Sequence, residues 1–79
     1  MKYNNQIMYQ PKELINPDEP NYFIAGLCLC GSRHYSENMT YEEALAAMHK
    51  YVAVVEYFGG GVVKLIEGED TVLKYRLVH

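Results

Sequence analysis

The segment from Met39 to Gly61, "MTYEEALAAMHKYVAVVEYFGGG", constrains the fold more than any other part of the chain. Thr40 stands at an N-cap position with Glu43 three residues on. In that reciprocal arrangement the hydroxyl and the carboxylate each satisfy a backbone amide of the first turn. Glu42 and Glu43 also set negative charge at the positive end of the helix dipole. Tyr41, Leu45, Met48, Val52 and Val55 recur at spacings of three and four and predict one apolar stripe, which Ala44, Tyr51 and Phe58 widen. Gly59, Gly60 and Gly61 end the helix, because glycine accepts the left-handed conformation just past a last turn. A single stripe covers only one face of whatever lies beneath it, so the remaining residues must supply that surface.

They read as a sheet. "NYFIAGLCLC", Asn21 to Cys30, is a short apolar run between a proline and a Gly-Ser pair, which predicts a strand. Phe23, Ala25, Leu27 and Leu29 form its bulkier side and are expected to face the core, with Ile24, Gly26, Cys28 and Cys30 opposite. After the helix, "VVKLIE" and "TVLKYRLV" flank the turn Gly68 to Asp70 and predict a β-hairpin. Strict alternation places Val63, Leu65, Leu73, Tyr75 and Leu77 on the core face. Val62, Lys64, Ile66, Val72, Lys74, Arg76 and Val78 then lie on the other. Residues 1–20, with prolines at 11, 17 and 20, are expected to form an arm carrying at most a short edge strand, ahead of a single βαββ domain over 21–79. The economical solution is an α+β fold: one α-helix packed on a three- to four-stranded, mainly antiparallel sheet, in the order (β)βαββ. One sheet face is left for water, the arm or a partner.

Size and charge narrow the function classes. A chain of 79 residues buries only ~60% of the surface its unfolded form exposes, which leaves little room for a deep catalytic pocket. Ten acids against seven bases give a formal charge of −3, too mild for a nucleic-acid mimic and of the wrong sign for a general nucleic-acid binder. No apolar run reaches the ~20 residues of a membrane span. "MKYNNQIMYQ" lacks the charged head and apolar stretch of a signal peptide, so the expected location is the cytoplasm, where thiols stay reduced. Eight tyrosines and no tryptophan suit half-buried positions and contact surfaces alike.

The stretch "CLCGSRHYSENM", Cys28 to Met39, carries the chain's only apparent chemistry. Structural zinc sites usually draw four ligands from tight turns. Here the pair is C-x-C within an expected strand, where both thiols point to one face roughly 6.6 Å apart by strand rise. That spacing lies near the upper limit for a disulfide, and the parallel side chains oppose one further. His34 follows in the loop, while His49 falls on the polar side of the helix. The favoured reading is therefore two free cysteines acting as small hydrophobes, with no metal and no cofactor. A cysteine nucleophile is disfavoured because nothing orients His34 toward a thiol. Glu42 and Glu43, adjacent on a helix, point ~100° apart and do not make an acid–base couple. "FGGGVVK" places its glycines at the negative end of a helix, the wrong polarity for holding phosphate. No catalytic residue is assigned, and the chain reads as a non-enzyme.

Two surfaces remain as candidates for partner binding. Lys64, Lys74 and Arg76 are expected together on the outer face of the hairpin, either as a solvated guard against edge pairing, as a protein contact, or as a nucleic-acid contact. Stacking of single strands normally uses exposed aromatics, which this face lacks. The second surface is the loop leading into the helix, "RHYSENMTYEE", where Tyr35, Glu37, Tyr41, Glu42 and Glu43 form an acidic, aromatic edge, with the first four as the candidate contacts. An exposed strand edge could also pair with a second copy of the chain about a two-fold axis.

In size, mild acidity and single-helix-on-sheet layout the chain resembles the small accessory proteins encoded by bacteriophages, among them anti-CRISPR and other anti-defence inhibitors. The resemblance covers the outline of the whole chain and no motif. It implies non-enzymatic inhibition, in the host cytoplasm, by occupying a surface of a bacterial immune complex, and it transfers no functional residue. The leading expectation is thus a protein-binding module. The alternative is a nucleic-acid or nucleotide binder working through Lys64, Lys74 and Arg76.

Overall fold

The computed structural model describes residues 16–79. Its elements are β1 (Tyr22–Cys28), β2 (Arg33–Tyr35), α1 (Tyr41–Tyr57), β3 (Gly61–Glu67) and β4 (Thr71–Val78). The strands form one antiparallel sheet in the order β2-β1-β3-β4, and α1 crosses one of its faces, over β1 and β3. This is the expected α+β layout with four strands. The fourth strand is Arg33–Tyr35, which the sequence suggests is loop, since three residues are too few for alternation to show. The short edge strand expected in the arm lies outside the described residues.

α1 starts and stops as its sequence dictates. Thr40 Oγ1 accepts from the Glu43 amide at 3.3 Å, and Glu43 Oε1 accepts from the Thr40 amide at 3.0 Å. At the other end the Gly59 amide donates to the Glu56 carbonyl at 3.0 Å and the Gly60 amide to the Val55 carbonyl at 2.9 Å. Those two bonds satisfy carbonyls that the last turn would otherwise leave open. Ala44 and Val55 are fully buried, and Tyr41, Leu45, Ala47, Met48, Tyr51 and Val52 pack around them.

The strand register sorts the sheet into cross-strand rows, and residues in one row share a face. Under the helix run Tyr22–Glu67–Thr71, then Ile24–Leu65–Lys74, then His34–Gly26–Val63–Arg76, then Cys28–Gly61–Val78. On the opposite face run Phe23–Ile66–Val72, then Tyr35–Ala25–Lys64–Tyr75, then Arg33–Leu27–Val62–Leu77.

Two face assignments are thereby corrected. In β1 the core side is Tyr22, Ile24, Gly26 and Cys28, not the bulkier set Phe23, Ala25 and Leu27. The reason is the close approach of the helix at Gly26, where an added Cβ would stand 3.0 Å from Val55 Cγ2 and 3.7 Å from Tyr51 Cδ2. The helix selects the side with room for its backbone rather than the side with more bulk. In β4, Leu65 pairs with Lys74 and Ile66 with Val72, so Leu73 is an extra residue in a β-bulge. One inserted residue reverses the alternation beyond it. Leu73 still packs toward the core as expected, but Tyr75 and Leu77 turn to the open face while Val78 joins the core.

A third correction concerns the thiols. β1 ends at Cys28, and the next residues make a tight turn in which the Gly31 amide donates to the Cys28 carbonyl and the Cys28 amide to the Ser32 carbonyl, both at 2.9 Å. Leu29 and Cys30 are therefore turn residues, and Leu29 is exposed.

One polar pair lies within the core. The Tyr22 hydroxyl donates to Glu67 Oε2 at 3.2 Å, and both residues are buried. Burial, and then the negative charge of Glu67, raise the Tyr22 pKa above the ordinary phenol value. The Tyr41 ring meets Tyr22 edge-on at 5.5 Å, which locks the helix start over this pair.

Candidate protein-docking surface

The open face of the sheet follows from those rows. Phe23, Leu27, Val62, Ile66, Val72 and Leu77 surround Ala25 and Lys64, with Tyr35, Tyr75 and Arg33 at the margins. Phe23 and Tyr35 have ring centroids 6.5 Å apart, joining the edge strand β2 to the centre of the face. No described element packs on this side, since α1 lies wholly over the other. No ion pair ties Lys64 or Arg33 to an acid among the described residues. The arrangement is an apolar plate with one cation near its centre and another at its rim. It can desolvate against another apolar surface and accept a carboxylate at Lys64.

The sequence-derived candidates are dispersed by this geometry. Lys64 lies on the open face, whereas Lys74 and Arg76 lie on the helix side, so the three bases do not form one patch. Lys74 and Arg76 instead edge a groove of about 380 Å³ floored by Leu45, Met48 and Val52, with His49 at its rim. Tyr35 is 56% exposed and belongs to the open face. Tyr41 is a half-buried packing residue, and Glu42 is an exposed charge of the first helical turn. Glu37 lines a separate shallow hollow with Asn38, Met39, Glu43 and Ala47.

His34 packs its ring 4.9 Å from that of Phe58, and its buried Nε2 has no hydrogen-bond partner. Among the described residues no cluster of three or more histidine, cysteine or acidic side chains is placed to hold a metal ion. Among them, too, no helix is long and apolar enough to cross a membrane.

Bulk and strict alternation hide this open face in the sequence, because they place Phe23, Leu27 and Leu77 on the core side. One signal points the other way, a glycine at position 26 where a helix can approach; in β4 the alternation of Lys74 and Arg76 with Tyr75 and Leu77 favours the uninterrupted register that the bulge breaks. Fold and surface together define a two-layer α+β domain with one apolar sheet face left uncovered by any described element. Compared with protein-family models, curated proteins and solved structures, the chain matches none.

Proposed function

We propose that this protein is a non-enzymatic binding module that docks through the open face of its sheet onto another protein and acts by occluding that partner's surface. The observation that carries this reading is the contiguous apolar plate, with Lys64 near its centre and Arg33 at its rim. A plate of this kind gains its full burial energy only when something covers it. The cations specify the chemistry of the cover: apolar side chains around at least one carboxylate. A second copy is a poorer fit, because stacking two such plates about a two-fold axis brings the two Lys64 side chains toward each other without a counter-charge. An occluding inhibitor, in the manner of the phage accessory proteins whose layout this chain resembles, is the form of the reading that needs no further site.

The nucleic-acid alternative is weakened, because the three bases it relies on stand on two faces. The test is capture from a lysate of the source organism, or of its host, with wild-type protein and with Val62→Asp and Leu77→Asp variants of unchanged melting temperature. A partner retained by the wild type and lost by both variants supports the reading. Equal capture by all three proteins overturns it. So does binding that follows Lys74 and Arg76 charge reversal while ignoring the open face.

A further inference from the structure

A different region, the turn between β1 and β2, carries an inference that does not depend on the docking face. Cys28 is buried at the margin of the core, and Cys30 is exposed at the tip of the turn. The objection to pairing them came from an extended strand, which would hold the two residues ~6.6 Å apart with parallel side chains. That objection lapses here, because the chain reverses at Cys28. The Gly31 amide returns to the Cys28 carbonyl, and Gly31 takes a φ of 100° to complete the reversal.

The surroundings treat the two sulfurs differently. Cys30 Sγ lies 3.3 Å from Ser32 Oγ. Hydrogen bonding from the Ser32 side chain, and then from its backbone, lowers the Cys30 pKa below the ordinary thiol value. Burial raises that of Cys28, and the charge of the neighbouring Cys30 raises it further. The outer sulfur is thus the more readily ionised of the two. Cys30, exposed, is open to a small oxidant from solvent, while Cys28 lines an open hollow of roughly 450 Å³ with Leu27, Gly31, Ser32, Arg33 and Tyr35.

We propose that Cys30 and Cys28 form a redox-responsive dithiol that a hydroperoxide converts into a disulfide within the turn. The Cys30 thiolate attacks one peroxide oxygen, the O–O bond breaks, and hydroxide or alkoxide leaves, giving a sulfenic acid on Cys30. The Cys28 sulfur then attacks the Cys30 sulfur, the S–O bond breaks, and water leaves with the Cys28 proton. Both sulfurs are oxidised and the peroxide is reduced, so the balance closes. Ser32 sets which cysteine reacts first by hydrogen bonding to the Cys30 thiolate. The product draws Cys28 away from the core. It also strains the bond from the Leu29 amide to the Gly60 carbonyl, 2.9 Å, which ties this turn to the start of β3.

The test uses the full chain, which contains no other cysteine. Brief treatment with hydrogen peroxide in slight excess is followed by intact mass analysis and thiol titration. The expected product is a monomer lighter by two hydrogens, with no free thiol, restored by dithiothreitol. Cys30→Ser is expected to resist the same treatment. Cys28→Ser and Cys28→Ala, used together because Cys28 touches the core, are expected to stop at a Cys30 sulfenic acid that dimedone traps. Ser32→Ala is expected to slow alkylation of Cys30 by iodoacetamide severalfold near neutral pH. Wild-type protein that gains oxygen on Cys30 without closing the disulfide overturns the proposal. A disulfide formed only between two molecules, or a Cys30→Ser variant that reacts as fast as wild type, does the same.

Discussion

The two faces of this sheet are built from the same strands, residue by residue in alternation, yet their side chains have opposite fates. Ile24, Val63 and Leu65 under the helix are fully buried, while their chain neighbours Phe23, Val62 and Ile66 on the open side remain half-buried. Composition does not separate them, for both faces are rich in aliphatic and aromatic side chains. What separates them is cover. Removing apolar surface from water stabilises by ~25 cal/mol per Å² only when another surface takes its place. The helix provides that surface on one side. On the other, no described element covers the same chemistry, and the proposed docking plate lies there.

The largest expected effect attacks the seam of the covered face. Gly61 opens β3 beside Cys28 with φ of 154°, and a Cβ there would overlap the Leu27 carbonyl oxygen. The backbone of β1 cannot yield without breaking its ladder. Gly61→Ala is expected to cost more than about 4 kcal/mol and to abolish cooperative urea unfolding followed by circular dichroism. A tolerated substitution would mean that β1 and β3 are not seated as closely as the register requires.

Next comes a direct contrast between neighbours. Leu65→Ala removes a fully buried side chain beneath α1 and is expected to cost about 2–5 kcal/mol. Ile66→Ala, one residue along on the open face, is expected to cost no more than about 1 kcal/mol in the isolated protein. Equal losses in urea denaturation would break the comparison, since they would show that the open face is packed as firmly as the core.

These contrasts also explain what could be read in advance. The helix was legible to its caps, because Thr40, Glu43 and the glycines act locally through the first and last turns. The existence of β1 and of the hairpin was legible from apolar runs bounded by turn residues. The faces were not, because they depend on contacts distant in sequence. Val55 meeting Gly26 decides the side of β1, where Gly26 is the one local mark in a strand that is apolar at nearly every position, and the bulge at Leu73 decides the parity of β4 with no local mark at all. The candidate surfaces read from the sequence inherit both differences. Lys64, Lys74 and Arg76 share a face only if the hairpin alternates without interruption, and the bulge at Leu73 moves the last two to the helix side. Cys30 falls in a turn and not in the strand for a related reason, since the end of β1 is set by pairing and turn hydrogen bonds, not by the residues themselves, while both cysteines are free as expected.

The polar pair under the helix gives a smaller and pH-dependent effect. Tyr22 has its pKa raised by burial and by Glu67, so its contribution is complete below the unfolded phenol value of ~10 and disappears as pH climbs through the higher folded value. Ionisation would set a phenolate against a carboxylate in the core. Wild-type melting temperature is therefore expected to fall in the alkaline range more steeply than that of Tyr22→Phe. At neutral pH the variant is expected to melt lower, because Glu67 loses the hydrogen bond from the phenol. Parallel alkaline profiles for the two proteins would show that Tyr22 is not sequestered with Glu67.

The smallest effect on stability is expected where the effect on binding is greatest. Lys64 sits in the row Tyr35–Ala25–Lys64–Tyr75, with no charged residue directly opposite it on either neighbouring strand. Reversing its charge therefore introduces no repulsion within the sheet, and Lys64→Glu is expected to alter unfolding free energy by no more than about 0.5 kcal/mol. The same substitution places a carboxylate near the centre of the proposed docking plate, where the proposed partner would present an acid. Affinity for the protein partner, measured by calorimetry, is expected to fall by about tenfold or more. Lys74→Glu, on the helix side of the same sheet, serves as the matched control and is expected to leave that affinity unchanged. If the two variants weaken binding equally, long-range charge attraction governs the contact and the distinction between the faces has no role in recognition. If only Lys74→Glu weakens it, the partner occupies the groove beside Leu45, Met48 and Val52, and the covered face, not the open one, carries the function.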